Sequence, residues 1–313
     1  MTLAGETYTS YLRTNVLPEA LEAIYFNNFI FGPDSPFEVV PAASVPGGTR
    51  IGELIDTSVS SNVAAYTVGD PGPTPDTTTT VEAYWNKDAW QGTAKTYDIY
   101  RDYQVNGGAY SALGDQDQKA INQVAKSLRD IACTSVIGGW ITDIDSTSAF
   151  SDASLSRTTY PSLASGEAGS IGTLAKADLD TAIESLENGT YAKVKRSDMV
   201  WLMPYNQLWN LADVTAGTTN FQWYLNPSEA KIDTEATAKM AAYGTIPIIC
   251  VPDMTNTNML LVDRTAIKIY DWKTLTIKPK DIFALEQAWI LSLGVNSTVL
   301  APWRCYKLDG ITT

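Results

Sequence analysis

Histidine is absent from all 313 residues of this chain. That single absence removes the Ser-His-Asp and Cys-His nucleophile systems, the histidine metal sites and the commonest general base. Cysteine is scarce: Cys133, Cys250 and Cys305 lie far apart, in apolar company such as IPIICV around Cys250. Neither a disulfide framework nor a CxxC metal site is supported by that spacing, and buried small hydrophobes are the simplest reading. Long apolar runs are missing too, because Pro252 and Asp253 interrupt one candidate and Glu286 and Asn296 another, so no membrane-spanning helix is expected. The opening MTLAGETYTS lacks the basic and apolar segments of a secretory signal, so synthesis and maturation in the cytoplasm are expected. Positive charge is short as well. Lys and Arg number 22 against 35 Asp and Glu, a net charge of −13, which argues against a nucleic-acid reader working by phosphate neutralisation. The excess serves solubility in the first place, and DNA beside such a surface is expected to slide, not to be gripped.

What remains is the composition of a folded protein, with 44% hydrophobic and 18% charged residues over a length that suits two domains or one elaborated domain. Residues 1–49 read as an arm, with Leu17, Leu21 and Ile24 on one helical face followed by YFNNFIF and FGPDSPFEVVP, packing either on its own chain or on a neighbour. Residues 50–103 read as a long hairpin about the turn cluster Gly69 to Asp76. A two-stranded hairpin is marginal alone in water, so one that ends near Trp85 and Trp90 needs a surface to lie against. Residues 104–173 contain the clearest helix, from Gly114 to Trp140, whose stripe Ile121, Val124, Ala125, Leu128, Ile131, Ala132, Val136 recurs at three and four. Asp115 and Gln118 mark its start and Gly138-Gly139 its end, with a polar loop over 142–172 beyond. Residues 174–258 alternate helix and strand: Leu179, Ala182, Ile183 and Leu186 on one helix, a buried MVWLM strand, a helix over 204–213, and TIPIICV. Residues 259–313 are strand after strand. The fold class is therefore α+β and not a doubly wound parallel sheet.

Local motifs for chemistry fail on inspection. Asp143-Ile-Asp145 starts like a calcium loop, but Ser148 and Ser154 stand where glycine and a bidentate glutamate are needed. Gly166, Gly169 and Gly172 make no phosphate loop, and the sequons at Asn188 and Asn296 are chance matches without a signal peptide. Nine Trp and many carboxylates leave a histidine-free glycan-binding or glycan-hydrolysing protein as a distant alternative. No cofactor and no metal are expected. Arg264 and Arg304 sit among apolar strand residues, where an internal carboxylate partner is the first reading and an intersubunit contact the second.

The order of arm, hairpin, long helix, α+β lobe and closing strands resembles the major capsid protein of tailed double-stranded DNA phages, the Hong Kong 97-type fold. The resemblance runs through LAKADLDTAI at 174–183, MVWLMPYNQL at 199–208, LLVDR at 260–264 and APWR at 301–304. It implies an extended loop at 50–103 overlapping a neighbouring subunit, and a spine helix in a peripheral domain. It also implies an axial domain at 174–258, with the strands after Met259 returning to the peripheral domain. Many copies would form the hexamers and pentamers of an icosahedral head, with a portal protein, a separate scaffolding protein, a possible cement protein, and packaged DNA held without sequence-specific contact. The virion is then the location, and the nearer alternative is a nanocompartment shell of the encapsulin kind around a cargo enzyme. Arg50, Trp85, Lys87, Trp90, Arg264 and Arg304 are the candidate subunit-interface residues. Some members of that family link a loop lysine to a neighbour's asparagine; here 69–80 holds no lysine, and Lys87 and Lys95 are expected to cover Trp85 and Trp90 as snorkelling cations.

Overall fold

Strand runs without a polar break, such as MVWLM and MLLVD, fold as they do because both of their faces are covered. In the computed structural model, which describes residues 35–45, 47–56, 80–97, 116–145, 167–168, 171–188, 193–216, 239–251, 254–280 and 286–312, both runs are buried throughout. They are β7 (Met199–Met203) and β10 (Met259–Asp263), antiparallel neighbours in register from Leu260↔Leu202 to Asp263↔Met199. Successive side chains point to opposite faces. Val200, Leu202, Leu260 and Val262 enter one core, while Met199, Trp201, Met203, Met259 and Leu261 enter a second.

These two strands are the middle of a mixed six-stranded sheet. On one side lie β13 (Cys305–Leu308) and the short β5 (Glu167–Ala168); on the other, β9 (Ile246–Cys250) and β8 (Lys239–Tyr243). The second core is closed by helix α2 (Lys176–Glu187), whose Leu179, Ala182, Ile183 and Leu186 are buried as their spacing requires. Helix α3 (Tyr205–Ala216) follows β7 directly after Pro204, three residues longer at its C-terminal end than the sequence pattern suggests. Two residues of positive φ, Gly244 and Thr245, make the tight β8–β9 turn.

The other layer is a four-stranded sheet ordered β1 (Glu38–Pro41), β11 (Ile267–Lys280), β12 (Glu286–Val299), β4 (Trp90–Tyr97). Helix α1 (Gln116–Asp145) lies across it, burying Ile121, Ala125, Leu128, Ala132, Val136, Ile137, Trp140 and Ile144 against Trp289, Leu291, Leu293 and Val295. Gly92 of β4 lets the helix in. A Cβ there would stand 2.5 Å from Val124 Cγ1. The closing strands are thus divided between the sheets: β11 and β12 lie under α1, whereas β10 and β13 are laid into the six-stranded sheet. The cause is that β10 must cover β7, which has an apolar side chain on both faces.

The end of α1 is corrected. The helix passes through Gly138-Gly139 and stops at Asp145. Two interior glycines cost about 2 kcal/mol relative to alanine, but the turns beyond them bury Trp140 and Ile144 completely. The Trp140 indole Nε1 donates to Ser297 Oγ at 2.8 Å, and its ring meets Phe37 edge-on at 5.1 Å. Asp143 Oδ2 accepts from Thr298 Oγ1 at 3.1 Å and from the Val299 backbone N at 3.2 Å, so its carboxylate ties the helix to β12. Phe37 also settles how the last part of the arm packs, namely on its own chain, and β1 continues it in parallel with β11.

Strands β2 (Arg50–Asp56) and β3 (Thr80–Asn86) pair antiparallel from Arg50↔Asn86 to Asp56↔Thr80. This is the base of the expected hairpin. The pairing ends at Asn86, and the next strand, β4, turns away to pair with β12. The helical face at Leu17 to Ile24, the turn at Gly69 to Asp76, the cap at Asp115 and residues 146–166 of the polar loop lie outside the described residues. The two ends of that loop are tied to the last strands: β5 pairs with β13, and β6 (Gly172–Thr173) with β14 (Ile311–Thr312).

Candidate assembly surface at the base of the hairpin

The hairpin leaves the body where the β11–β12 ladder is irregular. Register shifts interrupt the ladder on both sides of Lys273, which faces Gly294. The indole of Trp272 lies over Gly294 so closely that a Cβ on that glycine would be 2.6 Å from Cε2 and Cζ2. Laid down in this way, Trp272 donates from Nε1 to the Asp88 carbonyl at 3.1 Å and takes the Lys87 ammonium on its ring, 5.6 Å from the centroid. Asn296, buried on β12, completes the grip. Its Oδ1 accepts from Asp88 N at 2.9 Å, and its Nδ2 donates to the Asn86 carbonyl at 2.9 Å and to Asp88 Oδ2 at 3.1 Å. The turn from β3 to β4 is therefore held at each of three consecutive residues.

The other strand of the hairpin is held through Glu53. Tyr270 Oη donates to Glu53 Oε1 at 2.6 Å, and Lys268 Nζ lies 3.4 Å from the same oxygen and 3.9 Å from Glu38 Oε2. Burial first, and then the negative charge of Glu53, push the Tyr270 phenol above its ordinary range, so it remains a donor. Ile51, opposite Trp85 in the β2–β3 ladder, is wholly buried.

The sequence-selected residues fall at separate places. Arg50 and Trp85 are at the hairpin base, Arg50 opposite Asn86 and Trp85 opposite Ile51, with Arg50 exposed. Lys87 covers an aromatic ring as expected, but the ring belongs to Trp272. Trp90, at the start of β4, is partly buried against the core beneath α1. Arg304 finds an internal partner: its Nη2 pairs with the fully buried Asp263, whose Oδ1 also accepts from Thr265 N at 2.8 Å and Thr265 Oγ1 at 2.9 Å. Arg264 stands beside this pair, half-buried, and its Nε has no hydrogen-bond partner among the described residues. Glu53, Tyr270, Trp272 and Asn296 were not singled out by sequence. An isolated glycine in a strand, Gly294, was the available signal, since it marks a close approach.

A second polar cluster, lined by Lys176, Asp180, Arg196 and Tyr243, is satisfied internally. Tyr243 Oη donates to Asp180 at 2.7 Å, Lys176 pairs with Asp180 at 3.5 Å, and Arg196 Nη2 donates to Glu187 at 3.0 Å. The hydrogen bond from Arg196 holds the Glu187 carboxyl below its usual range. The described residues bring no three His, Cys, Asp or Glu side chains together for a metal, and none of their helices is long and apolar enough to cross a membrane.

No family model and no curated protein sequence matches this chain. Solved structures do match. The capsid of Cyanophage A-1(L) aligns with a TM-score of 0.59 at 14% identity, over 97% of this chain and 96% of that one. The capsid of a native GTA particle gives 0.59 at 14% identity over 89% of each, and that of Cyanophage P-SCSP1u gives 0.58 at 14% over 89% and 87%. The α+β fold of this chain is the Hong Kong 97-type fold of tailed-phage major capsid proteins.

Proposed function

We propose that this chain is a major capsid protein whose work is assembly and not chemistry. Copies associate as hexamers and pentamers into an icosahedral head around double-stranded DNA, built in the host cytoplasm and residing in the virion. The observation that carries this reading is the hairpin: on a capsid-type fold, β2 and β3 form a sheet of two strands with no third strand among the described residues, yet their base is gripped on both sides. A rigid base under an uncovered two-stranded arm is what a subunit needs to lay that arm on its neighbour. Arg50, Trp85, Lys87 and Trp90 lie at or beside this base, and Arg264 and Arg304 are proposed to flank a further contact. The axial lobe is proposed to comprise 174–258 together with β10 and β13. A portal, a separate scaffolding protein, DNA held without sequence-specific contact and in some assemblies a cement protein complete the partner set. The net charge of −13 suits a lumen along which DNA slides.

Size-exclusion chromatography with light scattering tests the reading. A megadalton particle is expected, and a monomer or small oligomer at every concentration and salt would overturn it. Nucleic acid inside particles isolated from the native host supports the head reading. An enzyme inside would move the assignment to a nanocompartment.

A further inference from the structure

Two arginines leave the same end of the six-stranded sheet. Val262 of β10 faces Cys305 of β13 in the ladder, so the residues just beyond that pair, Asp263 with Arg264 and Arg304, lie together where β10 ends and β13 begins. Asp263 is wholly buried and engaged at both oxygens: its Oδ1 accepts from Thr265 N and Thr265 Oγ1, and its Oδ2 lies against Arg304 Nη2. Among the described residues no other carboxylate pairs with Arg304, and Arg264 has neither an ion pair nor a hydrogen bond. Yet Arg264 is half-buried, and the Nε of each arginine is closed to solvent without a partner. A guanidinium N–H taken out of water and left unmet is costly, so a folded chain seldom keeps one unless a group from outside the chain meets it.

We infer that Arg264 is kept for a second copy of this chain: its Nε–Nη edge takes a carboxylate side chain of a neighbouring subunit, while Arg304 stays bound to Asp263 and flanks that contact. The side-on edge of a guanidinium offers two parallel N–H donors that match the two oxygens of a carboxylate. Charge favours the same partner, because every copy carries 35 acidic against 22 basic residues and so presents carboxylates in excess. Breaking the contact takes nothing from the interior of the subunit, so Arg264 acts between copies and Arg304 within one. The inference rests on the shell reading and divides the two arginines that the reading left together.

Light scattering of the purified full chain assembling without nucleic acid, beside thermal melting of the unassembled subunit, separates the two roles. R264Q is expected to melt at the wild-type temperature or above it, and to need at least about tenfold more protein before shells appear. R264K keeps the charge without the fork and should fall between R264Q and wild type. R304Q strips the buried Asp263 of its partner and should lower the melting temperature. Shells from R264Q at the wild-type concentration would overturn the inference. So would an R264Q subunit that melts lower or fails to fold, which would place the role inside the chain. A deficit seen only when nucleic acid is present would assign the arginine to a phosphate and overturn it as well. If the wild-type chain forms no shell, the shell reading itself fails, and this inference with it.

Discussion

Gly294 and Trp272 show how one missing side chain orients a whole segment. The indole occupies the volume that a Cβ on Gly294 would need, with two ring carbons 2.6 Å from it. Replacing Gly294 by Ala must push Trp272 aside, lengthen its bond to the Asp88 carbonyl and move Lys87 off the ring. Overpacking of this kind costs about 1–3 kcal/mol, and a urea midpoint equal to wild type would contradict the packing described. The cysteines give a test of burial by pH. All three are free and buried. Burial pushes the Cys250 thiol up to about 11 and the Cys305 thiol higher still. A thiol-specific reagent is therefore expected to find no reactive group in the native protein near pH 8 and three in denaturant, and a fast-reacting native thiol would contradict it. Because the folded pKa of Cys250 is raised, its contribution to stability is complete below the ordinary thiol pKa of about 8.5 and is lost as pH rises towards 11.

Among the elements, α1 carries the clearest prediction. Gly138 and Gly139 are helical, and a Cβ on either would meet nothing within 4 Å. The double substitution G138A/G139A should stabilise the isolated subunit by about 1–2 kcal/mol, read as a raised melting temperature; a lowered one would mean that the helix is not continuous there. The same helix shows what periodicity can and cannot reveal. Its stripe from Ile121 to Val136 was legible because the buried face repeats at three and four, except at Ile131, which shares the spacing but is 55% exposed. Its end was not legible, because two glycines signal a stop locally, while the burial of Trp140 depends on Ser297 and Phe37, which are distant in sequence. The buried strands β7 and β10 were legible as continuous apolar runs. Their place side by side in one sheet was not, because pairing partners more than 50 residues apart leave no local trace. At the hairpin base the charged and aromatic residues near Lys87 were recognisable, but Glu53, Tyr270 and Asn296 act through contacts more than 200 residues away in sequence.

Across the whole molecule, the described residues form two cores and the paired base of a hairpin. The two cores, the divided closing strands and the internally paired Arg304 hold the body together. The base of the hairpin is gripped at Glu53, Asn86 and Asp88. Under the proposed function, a shell of these chains is held by burial and overlap. Purified particles boiled in detergent with reductant should give one band near the 34.0 kDa chain mass, and a ladder of reduction-resistant multimers would contradict a noncovalent shell.

Negative-stain electron microscopy of the wild-type chain beside a chain lacking residues 68–80 shows whether the hairpin closes the shell. Wild-type protein is expected to form closed, uniform shells, and the deleted chain to remain folded and soluble as monomers or capsomers that do not close. Normal shells from the deleted chain, or no shells from the wild type under any assembly condition, would contradict it.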